Sequence, residues 1–359
     1  MKKNVFPVIA SALLIVAIVS CNKKTDYYSA SDFSKVAKTD VHFHYNTPDT
    51  RYLQFADSLN MKIVTPNVDA SEPIDKQFLI AESLKKQFPE QIAFLGTFSV
   101  DSFNHPGFAE KTIEQIDRCM NAGASGIKIW KNIGMVLKDT AENFVFSNDL
   151  RFSPIFEHMA KNGITVMAHL GEPRNCWLPE NEMTLDNDRR YYKNHSEYHM
   201  YLHPEYPSYE DQLIARDSLL TMYPNLYLVG AHLGSMEWNI DEIAKRLDLY
   251  PNFDVDMSAR IGHLQLQAAA NYEKVRNFMI RYQDRIMYGT DITLRESGNN
   301  YRSVCKGLEN RWYEHWLFLA TDSLLSLKDP DGLKVKGLHL PSEVIDKIYS
   351  QNAQVFFKK

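Results

Sequence analysis

Short apolar or β-branched runs recur along the chain at 40–44, 62–68, 92–100, 126–130, 164–169, 226–232, 253–257 and 286–291. Between most of them lie longer stretches with apolar residues at helical spacing. Their ends carry recognisable signals. Ser71-Glu72-Pro73 opens one, with proline where its missing N–H does no harm. Ser153-Pro154 opens another, which closes at Asn162-Gly163, and 108–121 closes in the same way at Gly123. Asn239 caps a helix that halts at Pro251. Strands alternating with helices imply parallel strands and crossover helices. Eight such units predict an α/β fold of the closed (β/α)8 TIM-barrel type. An open doubly wound sheet is the competing arrangement, but no glycine-rich phosphate loop follows the first run.

Two regions exceed a minimal barrel. The stretch 172–208, after the fifth run, is aromatic and charged, with Trp177, Arg189, Arg190, Tyr191, Tyr192, His195, His199 and His203. A loop of that length reads either as a lid-like insertion over a site or as a surface crust. Trp177 or Tyr191 is placed to stack on a ring if such a lid closes. The second region, 292–310, follows the last run.

Residues 1–20 stand outside the pattern. Lys2 and Lys3 precede an apolar run that stops at Cys21. It is shorter than the ~20 residues a membrane span needs, and its flanks suit a secretory signal. Ile18-Val19-Ser20-Cys21 resembles a bacterial lipobox. That resemblance implies lipidation of Cys21, a tether over 21–38 and the barrel over 39–359; an ordinary signal peptide is the plainer alternative. The expected location is outside the cytoplasm, anchored by lipid to a bacterial membrane, on the periplasmic side or at the cell surface.

Composition acts mainly by exclusion. An apolar fraction of 44 % and a charged fraction of 24 % suit a folded domain. A net charge of −5 lacks the basic face of a nucleic-acid binder. Four cysteines in 359 residues make no disulfide framework. Cys119 lies in a helical pattern and reads as core.

The chemistry gathers at the strand ends. His42 and His44 are two apart, so both side chains face one way. Such a pair alone occurs by chance. However, His169, His232 and Asp291 also fall at the ends of later runs, where barrel sites are built. Neutral imidazoles with one carboxylate suit a borderline divalent cation such as zinc. Asp256 and Ser258 sit where they orient ligands, bind a hydroxyl or serve structure alone.

The segments DVHFH at 40–44, GIKIW at 126–130, MAHLGEP at 167–173, GAHLGS at 230–235, YGTDI at 288–292 and SQNAQVFF at 350–357 together resemble the amidohydrolase superfamily. The likeness is to the branch that includes aminocarboxymuconate-semialdehyde decarboxylase and related hydrolases. It implies a (β/α)8 barrel holding one divalent metal, zinc or manganese, through His42, His44, His169 and Asp291. It places His232 beside the metal as a polarising or proton-handling residue. In other branches a lysine at the end of the fourth strand is carboxylated and bridges two metals. Lys128 and Lys131 lie on opposite faces of that strand, and the sequence does not fix which face is inward. The alternative for Lys128 is contact with substrate or a carboxylate.

The ligand set implies hydrolysis of a C–O or C–N bond at a carbonyl, in a lactone, ester or amide. Asp291 takes a proton from metal-bound water, and His232 donates a hydrogen bond to the oxyanion. The same branch contains decarboxylases, which the ligands do not separate from hydrolases. A tethered binding protein without catalysis is the reading from another class. Arg174, Arg260 and Arg295 follow strand ends, where a guanidinium fork suits a substrate carboxylate. A surface ion pair is the plainer account of any single one of them. The partner is thus a small molecule, and oligomeric state is left open.

Overall fold

The first stave of the barrel is β1 (Lys38–Asp40) and β2 (Phe43–Asn46), interrupted at Val41-His42. β3 (Met61–Pro66), β4 (Ile92–Leu95), β5 (Ile127–Ile129), β6 (Val166–Ala168), β7 (Leu228–Gly230) and β8 (Phe253–Asp256) follow in order. β9 (Ile286–Met287) and β10 (Ile292–Arg295) make the eighth. The structure, a computed structural model, describes residues 26–357 apart from 71, 296–299 and 330.

All staves run parallel. β1, β3 and β4 form one sheet and β5 to β9 another. A bridge between Gly96 and Ile127 joins them. The ring closes where Val41 N–H donates to Tyr288 O at 3.0 Å and β10 pairs with β2. The chain is therefore the α/β barrel that the alternation predicts. Each strand is shorter than its apolar run, because the runs continue into the loops that carry the site.

Helices cover the outside. Phe108–Asn121 presents Ile116 and Cys119 inward, and Ser153–Lys161 presents Ile155, Phe156 and Met159. Gly123 and Gly163 adopt left-handed φ values of 93° and 62° after those helices, as their closing glycines require. Asn239 accepts a hydrogen bond from Asp241 N–H and caps Ile240–Leu249. Inside the ring, Val41, Val64, Met167, Val229 and Met287 pack with Phe356 of the closing segment. Cys119, Cys176 and Cys305 are buried free thiols.

The tether differs from expectation over its described part. Residues 26–38 lie against the barrel: Phe33 is buried, Tyr28 Oη donates to Asp346 at 2.8 Å, and Trp316 Nε1 donates to Ser29 O at 3.0 Å. The aromatic side chains of Tyr28 and Phe33 bury enough apolar surface to hold this short stretch down. The signal segment 1–20 and Cys21 lie outside the described residues.

The 172–208 stretch is built, not loose. It holds the helix Asp186–Asn194 and four 3-10 turns around a small core of Cys176, Met183, Tyr192 and Met200. The hairpin of β11 (Leu324–Lys328) and β12 (Asp331–Lys336) reaches it, and Asp329 accepts from Asn187 N–H at 2.7 Å. The region 292–310 splits into β10 and the start of the helix Tyr301–Ala320.

That helix buries His315, whose Nδ1 lies 3.0 Å from Tyr288 Oη. Burial, helped by Arg311, pulls its pKa from 6.5 down to about 3. Between those values the unfolded chain binds a proton that the folded chain does not. Stability therefore falls as pH drops from 6.5 towards 3, by up to about 1.4 kcal/mol per pH unit. In urea unfolding followed across that range, His315→Gln should show a shallower loss than the parent chain.

Candidate metal centre

The residues singled out at strand ends converge at one end of the barrel. His42 sits in the break between β1 and β2, with His44 inside β2. His169 follows β6, His232 follows β7, Asp256 closes β8, and Asp291 lies between β9 and β10. The backbone bends sharply there. His232, Leu233, Ser235, Ala259 and Asp291 all have φ between 56° and 64°. Such left-handed residues cost about 1–3 kcal/mol each and persist where the surroundings over-determine them. Gly289 belongs to the same close packing, because a Cβ there would lie 3.1 Å from His42 Cβ and 3.2 Å from Ser258 Cβ.

Hydrogen bonds fix the imidazole tautomers. His42 Nδ1 lies 3.0 Å from Asp256 Oδ2, His44 Nδ1 3.0 Å from Pro66 O, and His232 Nδ1 2.9 Å from Ser258 O. Carboxylate and carbonyl oxygens only accept, so each Nδ1 carries the proton and each Nε2 bears a lone pair. Burial, reinforced by Lys128, holds His42 below its ordinary pKa; burial and His169 do the same for His232. Both stay neutral.

Those lone pairs meet an anion. His42 Nε2 and His44 Nε2 lie 3.3 and 3.2 Å from Asp291 Oδ1, and His232 Nε2 lies 4.0 Å from Oδ2. Burial pushes the Asp291 carboxyl up, and only positive charge, on the facing His232 and His42 or on a cation in their midst, holds the group well below the carboxylate range. Three acceptors and a carboxylate facing one another repel unless a cation sits among them. His169 adds a buried Nε2 with no hydrogen bond, its ring centroid 4.2 Å from that of His232. The donor set fits a divalent metal.

The grouping differs in one respect from the expected ligand set. His42, His232 and Asp291 each offer a donor atom within 4.8 Å of the others. His44 joins through Asp291 Oδ1, while His169 stands further out, 3.6 Å from Glu172 Oε2. The tautomer also reverses the donor role expected of neutral His232, whose Nε2 accepts until it has taken up a proton.

Lys128 is the inward lysine. Its Nζ is buried 3.3 Å from His42 Nε2, and burial pulls its pKa down to about 8 against the fields of Asp256 and Asp291. Lys131 points elsewhere and pairs with Glu172. Burial pushes Glu172 up, but Lys131 and His169 hold it ionised. Burial lowers the pKa of His169 to about 4, with Glu172 opposing. Of the three arginines, Arg174 lies 4.3 Å over the Trp238 ring, Arg295 is exposed, and Arg260 is buried.

Two further carboxylates support the centre: Asp256, which the sequence places near the end of a run with its role open, and Asp40, which carries no signal beyond a polar position in an apolar run. Asp256 Oδ1 accepts from His232 N–H at 3.0 Å and Ser258 N–H at 2.9 Å. Asp40 accepts from His42 N–H, Thr290 N–H, Thr290 Oγ1 and Trp312 Nε1, tying the first stave to the last. Glu172, inside the HLGEP segment, is, with Asp40, a residue whose role sequence reasoning passed over.

A family model described as amidohydrolase matches residues 100–359. The chain belongs to the amidohydrolase family. The matched span holds His169, His232 and Asp291; His42 and His44 precede it. Among solved structures, an amidohydrolase II is 15 % identical over 90 % of this chain and 100 % of its own, with a TM-score of 0.53. A 5-carboxyvanillate decarboxylase from Sphingomonas paucimobilis is 14 % identical over 86 % of this chain and 83 % of its own, with a TM-score of 0.46. A dihydroorotase from Saccharomyces cerevisiae is 12 % identical over 90 % of this chain and 84 % of its own, with a TM-score of 0.47. No curated protein sequence matches the chain.

Asp256→Asn tests the tautomer argument. An amide nitrogen turned towards His42 Nδ1 would move the ring proton to Nε2 and block the lone pair. Metal affinity should fall by about 10–100-fold, read by competition with a chromogenic chelator, while the unmetallated chain keeps its fold.

Proposed function

We propose that this amidohydrolase is a metal-dependent hydrolase that cleaves a C–O or C–N bond at a carbonyl carbon of a lactone, ester or amide. The observation that carries the reading is the convergence of the His42, His44 and His232 Nε2 atoms on the Asp291 carboxylate. One divalent cation, zinc or manganese, would be held by His42, His44, His169 and Asp291, with His232 alongside. Such a cation lowers the pKa of a bound water towards 7 and polarises a carbonyl.

The chain's own groups then move the proton. Asp291 Oδ1 faces His42 and His44, which leaves Oδ2 turned towards His232 Nε2 at 4.0 Å. Oδ2 accepts the proton of the attacking water and returns it to the leaving group. His232 Nε2 shares that proton with Oδ2 and, while holding it, donates a hydrogen bond to the developing oxyanion before the proton passes to the leaving group. Asp256 keeps His42 in its metal-facing tautomer. Lys128 contacts substrate or a carboxylate of the centre. Arg174 and Arg295 lie at the rim, and the 172–208 stretch acts as a lid. The substrate is a small molecule, with a carboxylate as its expected recognition handle.

The centre is tested by Asp291→Ala with elemental analysis of the mature chain. The parent should carry about one equivalent of zinc or manganese and turn over lactones, esters or amides. The variant should lose turnover while keeping its melting behaviour. Carbon dioxide release without water uptake would instead assign a decarboxylase. Bound metal without turnover across such substrates and carboxylic acids would assign a binding protein.

We also propose that the chain is exported and lipidated at Cys21 on a bacterial membrane. Cys21→Ser should shift it from the membrane fraction to the soluble fraction of expressing cells.

A further inference from the structure

Beside the metal centre lies a second polar neighbourhood that the proposed chemistry does not use. It begins where β8 ends. Ser258 contacts both His42 and His232, Ala259 turns through a left-handed φ of 56°, and Arg260 opens the helix Ile261–Ala270. Arg260 is only 8 % exposed. Among the described residues its only hydrogen bond runs from Nη1 to Ala259 O at 3.0 Å, and its buried Nε has no partner. The Nε–Nη2 edge is the side of a guanidinium that grips a carboxylate with two parallel bonds. Here no protein group fills that edge, and its Nε end is buried.

Its neighbours are also unsatisfied, and with the opposite polarity. Glu237 is fully buried. Its Oε1 accepts from Arg174 N–H at 2.8 Å, while Oε2 has no partner. His263, on the same first helical turn as Arg260, is buried with neither ring nitrogen bonded; Nε2 stands 3.5 Å from Asp188 Oδ2. Glu237, Asp188 and Glu172 supply the negative field that keeps the buried Arg260 charged. A buried polar atom without a partner costs about 1–3 kcal/mol, and several in one place call for an explanation.

We propose that Arg260, Glu237 and His263 form a recognition pocket for a carboxylate that carries a hydrogen-bond donor beside it, as in a hydroxy acid or an acylated amino acid. The carboxylate takes the open edge of Arg260. The adjacent O–H or N–H donates to Glu237 Oε2, and His263 completes the contact. A simple carboxylate leaves Glu237 unpaired, and a neutral alcohol leaves Arg260 unpaired. Only a ligand bearing both groups satisfies the pocket.

This assignment rests on the metal-dependent reading for its role in substrate choice, but its test does not use turnover. Calorimetric titration of the metal-loaded chain compares glycolate, N-acetylglycine, acetate and ethylene glycol, with metal content counted in every sample. Glycolate or N-acetylglycine should bind roughly tenfold or more tightly than acetate, and which of the two binds better tells hydroxy acid from acylated amino acid. Glu237→Gln should erase that advantage. Arg260→Lys, which keeps the charge and loses the fork, should weaken both ligands and is the fallback if Arg260→Gln does not fold. Equal binding of glycolate, N-acetylglycine and acetate by the parent, or unchanged glycolate binding by the Arg260 variants at full metal content, would overturn the proposal; the latter result would place glycolate on the metal. Absence of metal from the parent chain would instead count against the hydrolase reading.

Discussion

Like-signed electron density is what this barrel end must manage. His42, His44 and His232 direct lone pairs towards the Asp291 carboxylate because Asp256, Pro66 and Ser258 hold their protons on the opposite ring nitrogen. Turned around, each ring would offer an N–H to the carboxylate, and the cluster would satisfy itself without metal. The acceptors behind the rings therefore decide the chemistry in front of them. Lys128, 3.3 Å from His42 Nε2, neutralises one lone pair at most. The cluster as a whole remains a cation site.

Holding that arrangement requires the backbone to do what side-chain packing alone does not. Left-handed residues at the ends of β7 and β9 turn the chain where His232 and Asp291 face each other, and another at Ala259 follows β8. Buried Asp40 accepts from residues on both sides of the ring closure and fixes the first stave against the last. Burial raises its pKa to about 7 even against four hydrogen bonds. A polar group kept in so unfavourable a place points to its positional value: it reinforces the pairing of β10 with β2 at the level of His42 and Asp291. Asp291 N–H donates to His42 O at 2.7 Å in the same junction.

Some of this was readable from residue order. Apolar runs separated by capped helices define a barrel because the caps at Asn239, Gly123 and Gly163 are local chemistry and survive into the fold. Histidines at the ends of those runs mark the centre for the same reason. The inward lysine was not readable. Both faces of a parallel barrel strand are buried, so Ile127–Ile129 has no polar alternation to show which side Lys128 takes. Tautomers were not readable either, since they depend on Pro66 and Ser258 carbonyls brought in by other staves. The expected tether failed to show its packing because a few aromatic residues dock only where Trp316 and Asp346 await them.

The site divides its work between two structural sources. The cation donors come from strand ends, where the closed hydrogen-bonded ring leaves little freedom. The open Arg260 edge, Glu237 and His263 come from the segments after β7 and β8, and Asp188 comes from the 172–208 stretch packed over them. Loops of that kind change without disturbing the ring. A mutation in the second set should therefore alter which molecule is held, and one in the first should alter whether any is transformed. The two sets touch at Ser258, whose hydroxyl lies 2.9 Å from His42 Nδ1 and 3.1 Å from His232 Nδ1, two residues ahead of Arg260. Recognition and chemistry are thereby held in register by one short turn.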